Sequence, residues 1–571
     1  MPVIRSALPM DMQMACGRCQ HRQAYTLPTP SCDACGHDWM DVIYDYERIR
    51  QLWPEILQRR PFSMWRYREL LPLRNDDYQI SMGEGGTALL KAQNLGLMLG
   101  VPDLWIKDER QNPTNSFKDR QASLVISMMK ETGVTELVVA STGNVAISYS
   151  AYSAHAGIKL WTFLPGLVPP EKMREIAIYG SEVVKVTDTY DATKKVAAEF
   201  ATHKGILVDR GIRDIGTRES MKTIAFETAE QLGRELGPSP SGTPWRAPDW
   251  YVQSVSGGMG PVGFWKGYQE LHQMGFVDRL PKLALIQAAG CAPMVTSYRK
   301  GLATAEPVTQ PNTRVITIAT GYPGPAYEYL AGVVSEHGGA FESVTDEETF
   351  HALHVLAKME GLSVEAAAAT AFAGLFKLLD RGVIRQDETV VVNCSGHTFP
   401  VEKFLLDGDW IKVVSTDAKA ASQPATEAVP APGSGDLLTA LDQLDRRVRR
   451  IAIIEDNPDA ARLLRRILQT QGDFQIFEAY TGQEGLDLIS SRRPDLVLLD
   501  LMMPDIDGFT LLDRLKASES LEDIPVIVVT AKELSREDRE RLGGRIEMLL
   551  RKGSFTDEDL IGGIHALLET E

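Results

Sequence analysis

Long apolar runs are absent from this 571-residue chain. No stretch of about twenty consecutive apolar residues occurs, which excludes an ordinary membrane-spanning helix. The first residues lack a basic-then-apolar pattern, so export is not expected and a cytoplasmic location is. Cysteine is scarce, with six residues in all. That excludes a disulfide scaffold and suits a reducing compartment. Four of the six form two close pairs, while Cys291 and Cys394 stand alone. Positive charge is also short: 60 Lys and Arg against 77 Asp and Glu leave a net charge of −17. This argues against sequence-independent nucleic-acid binding. Neither a membrane nor a nucleic acid is therefore expected as a partner. What is present is globular: 44% of residues are hydrophobic, and the length calls for about two to four domains.

Five segments follow from the pattern. Residues 1–45 carry Cys16-Gly17-Arg18-Cys19 and Cys32-Asp33-Ala34-Cys35. Two such knuckles let Cys16, Cys19, Cys32 and Cys35 converge on zinc, giving a zinc-ribbon-like segment. His37 lies just beyond and is read as a bystander, because four thiolates complete the shell. Residues 46–414 alternate strand-like runs (137–140, 159–164, 183–186, 206–208, 250–255, 282–287, 389–392) with helix-like ones. That predicts an α/β fold, a doubly wound, mostly parallel sheet with ligands at the C-terminal strand ends. Residues 415–435 are rich in Ala, Ser, Pro and Thr and read as a flexible linker. Leu437, Leu441, Leu444 and Val448 then mark a short amphipathic helix over 436–450. Residues 451–571 restart an α/β pattern of five strands (451–454, 475–478, 496–499, 526–529, 547–550), enough for an independent domain.

In the larger α/β segment, three stretches carry chemistry. Asn112-Pro113-Thr114-Asn115-Ser116-Phe117-Lys118-Asp119-Arg120 sets a lysine between a turn and a helix. Lysine amines form Schiff bases with carbonyl cofactors, and burial makes them useful bases. Ser141-Thr142-Gly143-Asn144 follows one strand end, and Ser256-Gly257-Gly258-Met259-Gly260 another. Glycines let a backbone approach phosphate oxygens, and a helix start near Pro261 adds its positive end. These are the parts of a pyridoxal phosphate site. Gly258 to Gly263 also fits a dinucleotide fingerprint, but the next strand ends in Gln287-Ala288-Ala289, without the acid a ribose needs.

The lysine motif closely resembles that of the threonine synthases, fold type II pyridoxal phosphate enzymes. So do Gly83-Glu84-Gly85-Gly86-Thr87, residues 140–146, 250–268 and 391–397, and the cysteine segment, in order and spacing over roughly 10–410. The resemblance implies that Lys118 binds the cofactor and then moves protons. Phe117 would pack near the cofactor, and Asn144 would bond its ring hydroxyl oxygen. Ser256, Gly257, Gly258, Met259 and Gly260 would hold its phosphate, and Ser395 would meet the pyridine nitrogen. Thr87, Ser116, Ser141 and Thr142 would reach the amino-acid substrate. Asp119 and Arg120 are expected to pair at the helix start, and His397 to be a positioned structural residue. The family cleaves phosphate from O-phosphohomoserine and adds water. It carries an arginine segment after its T-I-A-T stretch. Here Thr317-Ile318-Ala319-Thr320 runs straight into Gly321-Tyr322-Pro323. Such an arginine can clamp phosphate, so its absence leaves open a serine or threonine dehydratase, or another β-replacement enzyme.

In the last segment Glu455 and Asp456 end one strand, Asp500 another and Thr530 a third, with Lys552 after the last. Strand ends of a doubly wound sheet converge. The three carboxylates would bind Mg²⁺, and one would accept a phosphoryl group. The set and its spacing look like a response-regulator receiver domain of flavodoxin-like (βα)5 type. Asp500 would be phosphorylated, with Thr530 and Lys552 holding the oxygens. Gly553 stands where that family usually has proline, and Leu549 where it has an aromatic switch residue. The fusion implies a lyase controlled by a sensor histidine kinase or phosphotransfer protein, and a homodimer is expected from the fold type. A catalytically retired sensor of cofactor or amino acid, or an adaptor, are the other readings.

Overall fold

The computed structural model describes residues 3–8, 12–141, 143–166, 168, 170–186, 189–397, 449–471, 474–518, 520–532 and 534–552. Thr142, the linker over 415–435 and the leucine stripe at 437–448 lie outside them, as does Gly553. By its contacts the chain divides into two compact units. One comprises Met1–Ala92, Asp103–Ala357 and Ser363–Pro400; the other comprises Gln93–Pro102, Lys358–Leu362 and Val401–Glu571.

The first unit opens with a three-stranded antiparallel sheet, ordered Arg22–Ala24, Gln13–Cys16, Met40–Ile43. Its main body holds two sheets where the alternation predicts a single layer. The larger runs Gly339–Val344, Lys282–Ala288, Trp250–Ser254, Val390–Cys394, Leu104–Asp108, Leu89–Lys91, all parallel except the last. The smaller is parallel, ordered Glu182–Val186, Lys159–Pro165, Glu136–Ala140, Leu207–Val208. Val390–Cys394 is buried throughout; β-branched residues suit a strand covered on both faces.

Leu89–Lys91, Leu104–Asp108 and Gly339–Val344 are not legible in the periodicity, for a physical reason. Leu104–Asp108 ends in two charges, one neutralised by a tertiary partner and one locally: Lys107 Nζ lies 2.8 Å from Glu227, and Arg110 Nε 2.7 Å from Asp108. Gly339–Val344 carries a buried Glu342, held by Arg299 and Arg381. The main core is aromatic, with Trp53 packed among Tyr67, Phe226, Trp245 and Phe276.

The second unit holds a five-stranded parallel sheet, ordered Phe474–Ala479, Arg449–Ile454, Leu496–Leu499, Val526–Thr530, Met548–Arg551. The expected five strands are all present. Arg449 and Arg450 begin the first of them, not the end of a helix, because they pair with Phe474 and Gln475. Among the described residues no helix is long and apolar enough to cross a membrane.

Candidate functional site

Lys118 is the first residue of the helix Lys118–Glu131. Asn115 reaches it through a left-handed turn, φ 60°, which asparagine tolerates better than most residues. The turn is stitched to the end of Val390–Cys394. Phe117 N donates to Ser395 O at 3.0 Å, His397 N to Asn115 O at 2.9 Å, and Ser116 bridges Gly396. Residues almost 280 positions apart thus meet at one strand end. The Lys118 side chain opens on a cavity of about 400 Å³. Its amine nevertheless sits among protein atoms, 3.3 Å from Met259 Sδ and 3.9 Å from the centroid of the Phe117 ring. Burial lowers its pKa to about 7, against the opposing pull of Glu365 and Asp209. A good fraction of the amine is therefore neutral at ordinary pH.

The same cavity is lined by Phe117, Ser141, Asn144, Ser256, Gly257, Gly258, Met259, Gly260 and Ser395. The glycine loop feeds the helix Met259–Gln273. Gly258 has φ 83°, and a Cβ there would meet Leu330, Ala326 and Met294 at 3.0–3.1 Å. At Gly257 a Cβ would meet nothing within 4 Å. The open side and the helix start together form an anion cradle. Ser256 shares a hydrogen bond with Thr320. Asn144 begins the helix Asn144–Ala156; its Nδ2 donates to Glu365 Oε1 at 2.8 Å, and its Oδ1 accepts from Lys172 Nζ at 3.2 Å.

Four expectations meet a different arrangement. Thr87 does not line the cavity. It is buried in an ionic network, donating to Glu109 at 2.7 Å and accepting from Arg120 at 3.3 Å. Ser116 is buried and also off the cavity wall. The Ser141 hydroxyl oxygen accepts from Gly143 N and Ala146 N at 3.0 and 3.1 Å, so it caps the turn. Asp119 and Arg120 do not pair with each other. Asp119 accepts from Thr114 N and Oγ1 at 2.6 and 2.5 Å, and Arg120 binds Glu109 and Glu227. Neighbours on a helix point about 100° apart, so adjacency did not bring them together. Burial raises the Asp119 carboxyl to about 7, despite the Thr114 bonds.

The cavity also gathers residues that the strand pattern did not single out. Glu365 is buried, and its Oε2 has no hydrogen-bond partner among the described residues. Lys194, Arg210 and Arg213 stand on the wall. Each holds a carboxylate, Lys194 that of Asp191 at 2.6 Å, Arg210 that of Asp214 at 2.8 Å and Arg213 that of Asp38 at 3.0 Å; the segment after Thr320 has no cation. Arg210-Gly211-Ile212-Arg213 follows the strand Leu207–Val208 after Asp209, a position that could have flagged it.

These features fit pyridoxal phosphate: a desolvated amine, an open glycine cradle at a helix start, and a hydroxyl and an amide on the intervening wall. The cysteines fit zinc as well. Cys16 and Cys35 sulfurs are 3.6 Å apart, and those of Cys19 and Cys32 3.7 Å. Tetrahedral bonds of about 2.3 Å place sulfurs about 3.8 Å apart. The knuckles are near copies: Gln20 N donates to Cys16 O and Gly36 N to Cys32 O, with φ 59° and 71° at the donors. His37 Nδ1 instead accepts from Trp39 N.

In the second unit Glu455, Asp456 and Asp500 bring carboxylate oxygens within 4.8 Å of one another, a donor set suited to Mg²⁺. Lys552 Nζ donates to Glu455 at 2.8 Å and Asp500 at 2.6 Å. Those carboxylates hold its pKa above the ordinary lysine value although burial works against the charge. Burial raises Glu455 to about 7, and nearby Asp500 adds to it while Lys552 opposes. Thr530 is buried at the end of Val526–Thr530, and its carbonyl accepts from Lys552 N at 2.9 Å. Leu549 is exposed.

A family model described as pyridoxal-phosphate dependent enzyme matches residues 80–396, and one described as response regulator receiver domain matches 451–562. The threonine synthase of Methanocaldococcus jannaschii is 37% identical over 360 residues, covering 63% of this chain and 86% of that protein. That of Methanosarcina acetivorans is 34% identical over 393 residues, covering 69% and 92%. That of Mycobacterium tuberculosis H37Rv is 32% identical over 352 residues, covering 61% and 89%.

Proposed function

The chain belongs to the threonine synthase family of pyridoxal-phosphate dependent enzymes and carries a response regulator receiver domain, and on that footing we propose that it releases phosphate from O-phosphohomoserine and adds water to give threonine, under control of phosphorylation at Asp500. The observation that carries the substrate reading is the shared cavity. A Lys118 amine with its pKa lowered to about 7, a glycine cradle suited to one phosphate, and the ion-paired Lys194, Arg210 and Arg213, suited to a second, all line it.

Pyridoxal phosphate, when bound, supplies the electron sink that stabilises negative charge beside the substrate nitrogen. Phe117 packs beside the cofactor. Its phosphate would rest on the N–H groups of Ser256 to Gly260, its ring hydroxyl against Asn144 and its pyridine nitrogen against Ser395. Lys118 takes and returns protons at the substrate carbons, a task suited to an amine with pKa about 7. Ser141 caps the turn before the helix Asn144–Ala156, and the family resemblance assigns the substrate carboxylate to Thr142. Lys194, Arg210 and Arg213 draw in the leaving phosphate and neutralise its charge.

In the receiver, Glu455, Asp456 and Asp500 would hold Mg²⁺, which would supply positive charge opposite an incoming phosphoryl group. The Asp500 carboxylate accepts that group from a sensor histidine kinase or a phosphotransfer protein, and Thr530 and Lys552 hold its oxygens. The holoenzyme acts as a homodimer. Purified full-length protein loaded with pyridoxal phosphate is expected to release phosphate and threonine in equal amounts from O-phosphohomoserine. Turnover of serine or threonine with no release from the phosphorylated substrate would overturn the substrate assignment.

A further inference from the structure

The cysteine knuckles take no part in the chemistry above, yet they hold the loop that supplies two of the cavity's cations. Arg210 Nη2 donates to the Thr29 carbonyl at 2.9 Å, and Ile215 N to Thr29 Oγ1 at 3.3 Å. Arg213 Nε lies 3.0 Å from Asp38 Oδ2, three residues beyond Cys35. Arg218 donates to the Met40 carbonyl and stands 4.4 Å over the Trp39 ring. Every one of these partners lies between or just after the knuckles. The segment around them is slight: strands of four, three and four residues, with Cys16 and Cys32 buried and Cys19 and Cys35 exposed. Met14, Tyr25, Trp39, Met40 and Val42 anchor this sheet in the main core, which leaves the knuckle turns themselves as the part a structural metal would fix.

We propose that zinc bound by Cys16, Cys19, Cys32 and Cys35 braces the 210–218 segment, and that this brace sets how tightly the cavity takes an anionic substrate. Asp38 and the Thr29 carbonyl are positioning groups in this arrangement: they touch Arg213 and Arg210, not the substrate. Metal loading then acts on substrate affinity and leaves the proton transfers at Lys118 alone. The kinetic arm rests on the lyase reading; the structural arm does not.

The test uses full-length, cofactor-loaded protein in three forms: native, zinc-stripped with a chelator, and Asp38→Asn, which keeps all four thiolates. Zinc content, hydrogen exchange over 209–218, and KM against kcat for O-phosphohomoserine are measured together. The native protein is expected to hold one zinc per chain. Stripping should speed exchange at 12–44 and at 209–218 while the cofactor absorbance persists. It should raise KM with kcat nearly unchanged. Asp38→Asn should retain zinc and raise KM about two- to fivefold, the scale of one exposed ion pair. Absence of zinc from native protein, unchanged exchange at 209–218 after stripping, or a fall in kcat at constant KM would each overturn the brace. Should the protein not turn over O-phosphohomoserine, the lyase reading fails, and the exchange result by itself decides the brace.

Discussion

Two lysines stand in the two candidate sites, and their surroundings make them opposites. Lys118 is enclosed by a thioether and an aromatic ring, and it forms no ion pair among the described residues. Burial takes its pKa down to about 7. Lys552 lies 2.6 and 2.8 Å from two carboxylates, and its pKa is held up. The difference shows what burial does alone and in company. Without a counter-charge it frees the lone pair, making a nucleophile and base. With two carboxylates it leaves a fixed cation that can only donate. Each pKa unit corresponds to about 1.4 kcal/mol between the two protonation states.

The largest expected break in this comparison is Lys118→Ala. Turnover should fall at least about a thousandfold, since proton transfer and covalent cofactor binding go together; a steady-state assay and the visible cofactor spectrum check it. Next comes Met259→Glu, which would give Lys118 a carboxylate at the place of the sulfur and make it resemble Lys552. In native apoenzyme, cofactor uptake should speed up as pH rises, with a midpoint near 7, because the neutral amine attacks. The variant should move that midpoint upward by one to two units, slowing uptake at pH 7 by about ten- to a hundredfold. A stopped-flow pH series would show it.

A smaller effect belongs to the receiver. Glu455, raised to about 7, must lose its proton to bind metal. Mg²⁺ affinity should therefore weaken as pH falls below about 7, by up to roughly tenfold per unit if one proton is displaced; titration calorimetry in two buffers would also detect the released proton. Comparable in size is Gly258→Ala. Its φ of 83° and the contacts at 3.0–3.1 Å should cost about 1–3 kcal/mol, read as a lower melting temperature and weaker cofactor retention.

The sequence made legible what is local or fixed by strand order. The glycine loop and the receiver carboxylates sit at strand ends, which converge in α/β folds, while the cysteine spacing and the turn before Lys118 are legible because each is a local motif. Less legible were groups whose roles depend on contacts across the two sheets. Glu365 meets Asn144 over 221 positions, and Arg213 meets the knuckle segment over 175. The family resemblance made Thr87 a substrate group, yet Arg120 and Glu109 draw it inward. The strand Leu104–Asp108 was hidden by its two charges, Lys107 paired with Glu227 on a helix far along the chain and Asp108 with the nearby Arg110.

The central claim is that the receiver governs the lyase. The most direct measurement is the rate of phosphate release from O-phosphohomoserine by the full-length holoenzyme, with and without Mg²⁺ and beryllofluoride, beside Asp500→Asn treated in the same way. The account predicts that beryllofluoride changes the native rate and leaves the Asp500→Asn rate unmoved. Equal native rates in both conditions, with beryllofluoride binding verified, would contradict it.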